Sequence, residues 1–150
     1  MAFIIRTMKS NLNISNLIPQ RPPMVMVDEV LEASETKIIS RFNISPENVL
    51  CEGDFLGEAG IVENIAQTSA AGVGLSMAEK DENAEPPIGF IGALKNLMIY
   101  KLPKVNSTIQ TEVTLLHRIM DASVIEGKVF QEGNLIAECE MKIFLKSTKK

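Results

Sequence analysis

The stretch that decides the fold runs from Ile61 to Lys80 and reads IVENIAQTSAAGVGLSMAEK. Ile61, Ile65 and Thr68 recur on one side at helical spacing, and Leu75 continues that side, so the stretch predicts the one long helix of the chain. Its middle, Ala66 to Gly74, is dominated by alanine, glycine, serine and threonine. Glycine costs an exposed helix about 1 kcal/mol relative to alanine, so packing must compensate for Gly72 and Gly74. Small side chains also let another backbone come close. A sheet wrapped tightly round the helix satisfies both conditions.

The flanking sequence supplies that sheet. Upstream, Asn11 to Ile18 predicts a short helix ending before Pro19, and the rigid Arg21-Pro22-Pro23 stops it. Met24 to Leu31 is valine-rich and predicts a strand. Thr36 to Ile44 predicts a second, with Ile38, Ser40, Phe42 and Ile44 on one face. Pro46 to Gly60 lacks a period, contains Gly53, Gly57 and Gly60, and reads as a loop. Downstream of the connecting loop Asp81 to Pro87, strands are predicted over Ile88 to Tyr100, Thr108 to Ile119, Ala122 to Gln131 and Leu135 to Leu145. Pro103 to Asn106 and Gly133-Asn134 supply turns. The order is two strands, a central helix, then an antiparallel meander: an α+β pattern in one domain spanning residues 1–150.

Composition narrows the partners. The chain has 150 residues, 45% of them apolar, which suits a single domain with a real core. Its formal net charge is −4, and its basic residues cluster only at the tail, Lys146, Lys149 and Lys150. Nucleic acid is not an expected partner, because phosphate neutralisation needs clustered Lys and Arg. Met1 to Lys9 carries Arg6 and is followed by no long apolar run, so neither a signal peptide nor a membrane span is expected, and the cytoplasm is the expected compartment. Cys51 and Cys139 read as two reduced thiols, and with a single histidine they do not build a typical zinc site.

Two stretches resemble a known family. Ile18-Pro19-Gln20-Arg21-Pro22-Pro23-Met24-Val25-Met26-Val27-Asp28-Glu29-Val30-Leu31 resembles the "LPHRxPFLLVDRVL" segment of the β-hydroxyacyl-acyl-carrier-protein dehydratases of fatty-acid synthesis, the FabZ/FabA-like proteins. Glu63-Asn64-Ile65-Ala66-Gln67 resembles the "EAxAQ" of their central helix, and Gly53-Asp54-Phe55-Leu56-Gly57 stands in place of their "GHFPG". Phe90-Ile91-Gly92, Pro103 and the closing Gly133 to Glu140 are similar to the family's meander. The resemblance implies a hot-dog fold, a long central helix wrapped by an antiparallel β-sheet. It implies a dimer whose sites combine residues of two chains, with the acyl chain in an apolar tunnel beside the helix. No cofactor is expected; the substrate arm implied is the phosphopantetheine of an acyl carrier protein or of coenzyme A. Lys95, Lys101 and Lys104 are the cations that would meet an acidic carrier protein, or are simply solvated.

The sequence departs from the family where chemistry is done. The catalytic histidine of "GHFPG" falls on Asp54, the histidine of the first motif falls on Gln20, and the loop between the glycine motif and the helix is shorter. His117, the only histidine, lies in a late strand and reads as a surface residue. Dehydration needs a base for the α-proton and an acid for the departing β-hydroxyl. An unperturbed Asp lies ~2.6 pKa units below His, a proton-affinity deficit of roughly 3.5 kcal/mol, which disfavours Asp54 as a substitute base. The plain alternative for Asp54 is a turn aspartate.

The candidate catalytic residues are Glu63 and Asp54. Glu63 is expected in the first turn of the helix, where the dipole favours a carboxylate and desolvation would make a general acid; otherwise it satisfies a free amide. Gln67, one turn on, either holds Glu63 in one rotamer or binds the substrate carbonyl. Gly53, Gly57 and Gly60 are candidates to turn amides toward the thioester oxygen, or simply supply unusual backbone angles, and Phe55 and Ile61 are further substrate-binding candidates. Arg21 is expected to anchor its loop or pair with Asp28. Two function classes stay open, with a purely structural protein as a remote third. One is a β-hydroxyacyl thioester dehydratase, with an acyl thioesterase as its variant. The other is a non-catalytic subunit that binds acyl thioesters or completes a histidine-containing paralogue in a heterodimer. A homodimer is the least demanding assembly.

Overall fold

The computed structural model describes residues 6–7 and 13–146 of the chain. Arg6 and the residues expected in a frayed tail, Lys149 and Lys150, have no described side chains, and most of the leading segment and the start of the predicted first helix lie outside the described residues. Among the described residues seven strands form one antiparallel sheet: β1 (Arg6–Thr7), β2 (Glu29–Ala33), β3 (Lys37–Asn43), β6 (Gly89–Ile99), β7 (Thr108–Ile119), β8 (Ala122–Gln131) and β9 (Asn134–Leu145), in the order β1-β2-β3-β7-β8-β9-β6. The small hairpin β4 (Cys51–Glu52) and β5 (Phe55–Leu56) stands apart from it. The helix α1 (Glu58–Lys80) lies against the inner face of the sheet, which is the hot-dog arrangement.

The strands bury alternate side chains, as half-covered strands must. On β9, Cys139, Met141 and Ile143 point to the helix while Glu140, Lys142 and Phe144 do not. Their inner side chains meet Ile61 and Ile65 of α1 in one core that includes Phe42, Ile109, Val113, Ile125 and Val129. A second cluster, with Leu17, Ile18, Val30, Ala71 and Leu75, closes the far end of the helix.

The small residues of α1 are where the chain comes closest. A Cβ on Gly74 would sit 2.0 Å from the backbone oxygen of Leu17, and one on Gly72 would sit 2.4 Å from the Ile38 side chain. On the sheet side, a Cβ on Gly127 would meet Ile65 at 2.4 Å. Tight wrapping is therefore physical contact, as the composition of the helix required.

Several boundaries differ from the sequence reading. The short helix is a single 3-10 turn, Ile14–Asn16, capped by the side chain of Asn13. Met24 to Asp28 is not a sheet strand; its central residue Met26 gives its N–H and its C=O to side chains of α1 instead of a neighbouring strand. The helix starts at Glu58, not Ile61, with the extended Gly57 as its N-cap. Gly60 thus belongs to the first turn, where its missing side chain admits Leu56. The closing hairpin turns on Glu132 and Gly133, both with positive φ, and Asn134 already opens β9. Strands β7 and β8 have the predicted limits.

Candidate active site

Four neighbouring polar residues interrupt the apolar and small middle of α1: Glu63, Asn64, Gln67 and Thr68. Their spacing puts them on one flank of the helix, and three of them are fully buried. Each is satisfied. Met26 N–H donates to Gln67 Oε1 at 2.6 Å, and Asn64 Nδ2 donates to Met26 O at 2.7 Å. Thr111 Oγ1 donates to Asn64 Oδ1 at 2.5 Å. Thr68 Oγ1 donates to Asn64 O at 2.7 Å, so Ser40 Oγ, 2.7 Å away, must be the donor to Thr68. A buried polar ladder thus ties the helix to the Met24–Met26 segment, β3 and β7.

Gln67 ends that ladder at Glu63. Its Nε2 donates to Met24 O at 2.8 Å and to Glu63 Oε2 at 3.0 Å. Both amide hydrogens are spent and the oxygen is engaged, so Gln67 holds Glu63 rather than offering a donor to a substrate carbonyl. Because the helix begins at Glu58, Glu63 sits in its second turn, and Glu58 is the acidic residue of the first. The N-terminal dipole is therefore not what places Glu63.

Glu63 opens into a cavity of about 240 Å³. One wall is a single face of α1: Glu63, Ala66, Ser69, Ala70 and Val73. The others are Pro19 and Gln20, the start of β6 (Gly89, Phe90, Ile91), Ser123 on β8, and Ile143 and Leu145 on β9. Small residues do two jobs on this helix. Gly72 and Gly74 admit protein, while Ala66, Ser69 and Ala70 leave space. Among the lining residues Glu63 alone is ionisable. An apolar cavity with a few convergent polar groups is the default place for a small-molecule site. A larger cleft of about 440 Å³ lies at the other end of α1, lined by Glu79, Glu82 and Glu85 and by Arg21.

The structure does not bring the other predicted residues to this cavity. Asp54, Phe55, Gly57, Gly60 and Ile61 are not among its walls. The short loop folds as the β4–β5 hairpin and is pinned to the turn after β6: Leu56 N–H donates to Pro103 O and Val105 N–H to Asp54 O, each at 2.9 Å. Asp54 and Phe55 are exposed at that hairpin. Gly57 N–H is spent on Leu50 O at 2.9 Å and is not free for an oxyanion. Ile61 is buried in the core. Arg21 Nη1 donates to the carbonyls of Ile18 and Gln20, anchoring its loop, whereas Asp28 Oδ2 accepts from Asn43 N–H, so the proposed Arg21–Asp28 pair does not form. His117 is exposed on β7, opposite Val124. Both cysteines are free thiols; burial pushes Cys51 up, and burial with the Glu140 charge pushes Cys139 up to about 11.

Sequence reasoning missed Gln20, Ser69 and Ser123 as cavity residues and Asn64, Ser40 and Thr111 as its scaffold. The signal for the scaffold was present in the unbroken polar pairs Glu63-Asn64 and Gln67-Thr68 on a helix that buries its faces. Nothing local marks Ser69 or Ser123.

Strand β6 is an edge of the sheet among the described residues. It carries Phe90, Ile91, Leu94 and Met98 exposed, and Tyr100 follows it, half uncovered, with its hydroxyl donating to Glu138 at 2.7 Å. That hydrogen bond, with desolvation and the Glu138 charge, raises the Tyr100 pKa. The cavity reaches this edge through Gly89, Phe90 and Ile91. No helix among the described residues is long and apolar enough to cross a membrane.

Comparison with known proteins gives the family and the fold. A family model described as ApeP-like, ApeP dehydratase, matches residues 12–150. The chain is similar to the 3-hydroxyacyl-[acyl-carrier-protein] dehydratase FabZ of a Nitratiruptor species, 24% identical over 141 residues, covering 89% of this chain and 95% of the relative. Among solved structures it is similar to the dehydratase heterocomplex ApeI:P from Xenorhabdus doucetiae, with a TM-score of 0.77 at 17% identity over 93% of this chain and 94% of that one. It is also similar in fold to a hypothetical thioesterase protein with coenzyme A from Streptococcus pneumoniae TIGR4, with a TM-score of 0.62 at 10% identity over 81% and 88% of the two chains.

Proposed function

The chain belongs to the ApeP-like dehydratase family, and from that premise we propose that it dehydrates β-hydroxyacyl thioesters in the cavity beside Glu63, presented on the phosphopantetheine arm of an acyl carrier protein or of coenzyme A. The observation that carries the proposal is one carboxyl, fixed by Gln67 and open to an apolar cavity of chain-binding size. In the reaction a base takes the α-proton, the Cβ–O bond breaks, and Glu63, entering as the acid, gives its proton to the departing hydroxyl. Water and the enoyl thioester leave. The apolar walls exclude competing water and seat the acyl chain.

The base comes from a second hot-dog subunit paired along β6, whose exposed apolar side chains border the cavity. In a homodimer that group is Asp54 of the second copy. In a heterodimer it is a histidine of a paralogue, a reading favoured by Asp54 standing where the family's catalytic histidine would be and by the exposed place of His117 on β7. The similar structure being a heterocomplex supports the same reading.

The test is turnover of a short β-hydroxyacyl thioester by wild type and Glu63→Gln, following enoyl absorbance and free thiol together. Enoyl formation reduced on the order of 10²-fold or more in the variant supports the proposal. Thiol release without enoyl product assigns a thioesterase instead. Activity appearing only on mixing with a histidine-containing paralogue selects the heterodimer. No product under any of these conditions, from folded protein, overturns the proposal.

A further inference from the structure

A bulge in β7 sets a cation beside the cavity. The inward side chains of β7 are Ile109, Thr111 and Val113, alternate residues, and Leu115 continues the series opposite Ile125. Unbroken alternation would next set His117 opposite Ser123. The register shifts between Leu115 and His117 instead, so His117 pairs with Val124 and Arg118 pairs with Ser123. Strand β8 keeps its own alternation through this point, because its pairing with β9 runs without a shift from Ala122 opposite Phe144 to Val129 opposite Ala137. Ser123 therefore stays on the helix side of the sheet, where it lines the cavity. Paired residues of an antiparallel ladder share a face, with Cβ atoms about 5 Å apart. One extra residue in β7 thus exchanges a histidine for an arginine on the cavity face; re-aiming a side chain is what bulges beside functional sites do.

The same row crosses the floor of the cavity. Ser123 pairs with Ile143 of β9, and Ile143 with Ile91 of β6, all three of them lining residues. Arg118 extends that row by one strand, about 4.8 Å, just beyond the wall. It is exposed, and its side chain makes no ion pair or hydrogen bond among the described residues. Arg21 and Arg41, by contrast, are engaged, with the carbonyls of Ile18 and Gln20 and with Glu29. Resting on the dehydratase reading, we infer that Arg118, with Ser123 beside it, recognises an anionic group of the substrate at this end of the cavity. A guanidinium presents a fork of donors that matches the oxygens of a phosphate or a carboxylate. Two parts of the substrate can bring such oxygens: the phosphate of the pantetheine arm, or a carboxylate at the far end of the acyl chain. Arg118 touches no reacting atom; it selects and holds.

The experiment measures equilibrium binding of three probes whose amide linkage prevents turnover: uncharged 3-hydroxydecanoyl-pantetheine amide, its 4′-phosphate, and its analogue with a carboxylate ending the acyl chain. Each is titrated at low ionic strength into wild type, Arg118→Gln and Lys142→Gln. Lys142 pairs with the same strand β8, opposite Val124, but on the outer face, so it controls for a general effect of charge. Wild type is expected to bind one anionic probe about 5–10-fold more tightly than the uncharged one, a gap that narrows as salt rises. Arg118→Gln should close that gap and leave the uncharged probe unaffected, while Lys142→Gln keeps it. Preference for the phosphate assigns the arm as the source of the anion, and preference for the carboxylate assigns the chain end. Equal binding of all three probes by wild type overturns the inference. So does a preference that survives Arg118→Gln, or one lost equally in Lys142→Gln. If wild type binds none of the probes, the thioester reading falls with it; if it binds them all alike, only the present inference falls.

Discussion

Replacing Gln67 by methionine tests the polar ladder directly. Methionine keeps the length and flexibility of the side chain and removes all three of its hydrogen bonds, from Met26 N–H and to Met24 O and Glu63 Oε2. The three losses are not equal. Met26 is fully buried, so its N–H is stranded without water, at a cost of about 1–3 kcal/mol. Met24 is 38% exposed and Glu63 is half-buried, so both regain water and forfeit only about 0.5–1 kcal/mol each. The total is roughly 2–5 kcal/mol, a drop of about 6–15 °C in Tm for a chain of this size. Urea unfolding would show it as a lower midpoint at unchanged m, since the exposed surface is the same. Glu63, released from its clamp, should also lose turnover. A stability change under about 1 kcal/mol would refute the reasoning, because it would mean that the Met26 amide finds another partner at no cost.

Other outcomes follow from the same geometry. Gly74→Ala places a methyl 2.0 Å from the Leu17 carbonyl oxygen, which is backbone and cannot rotate away, so unfolding free energy should fall by about 3 kcal/mol or more. Gly133→Ala meets nothing within 4 Å and suffers only its φ of +79°, a cost of about 1 kcal/mol by the same denaturant measurement. Cys139 couples stability to alkaline pH. Below pH 9 both folded and unfolded chains keep the thiol protonated; as pH rises toward 11 the unfolded chain loses that proton first. Stability should then fall with rising pH, by at most about 3 kcal/mol, and Cys139→Ala should flatten that part of the profile in pH-dependent unfolding.

The fold was largely legible because its decisive signals are local. The small-residue helix demanded close wrapping, and Gly74 against Leu17 and Gly127 against Ile65 are that wrapping. Asp121 and Gly133 mark the hairpins that bound β7, β8 and β9. Met24 to Asp28 misled because valine and methionine read as strand, whereas the hydrogen bonds of Met26 go to helix side chains, a long-range choice that no local pattern encodes. The site was half legible. Glu63 and Gln67 stood in a motif, but Asp54 and Phe55 were grouped with them by family order along the chain, and the shorter loop draws them to Pro103 and Val105. Gln20 lay in the first motif without any local sign that it would line the cavity.

The ladder on α1 also decides where the helix can dock. Sliding the helix by four residues, about 6 Å, would put Ser76 and Ala78 where Gly72 and Gly74 admit Ile38 and Leu17, so shape already opposes the slip. The polar residues oppose it independently. After such a slip Ala71 would stand where Gln67 was, and Gly72 where Thr68 was, leaving the Met26 amide and the Ser40 hydroxyl facing nothing they can bond. The same slip would carry the carboxyl of Glu63 out of its place in the cavity and put the amide of Gln67 there. Asn64, Thr68, Ser40 and Thr111 thus act as an alignment gauge. They set the position of an acid in a cavity whose walls they do not form.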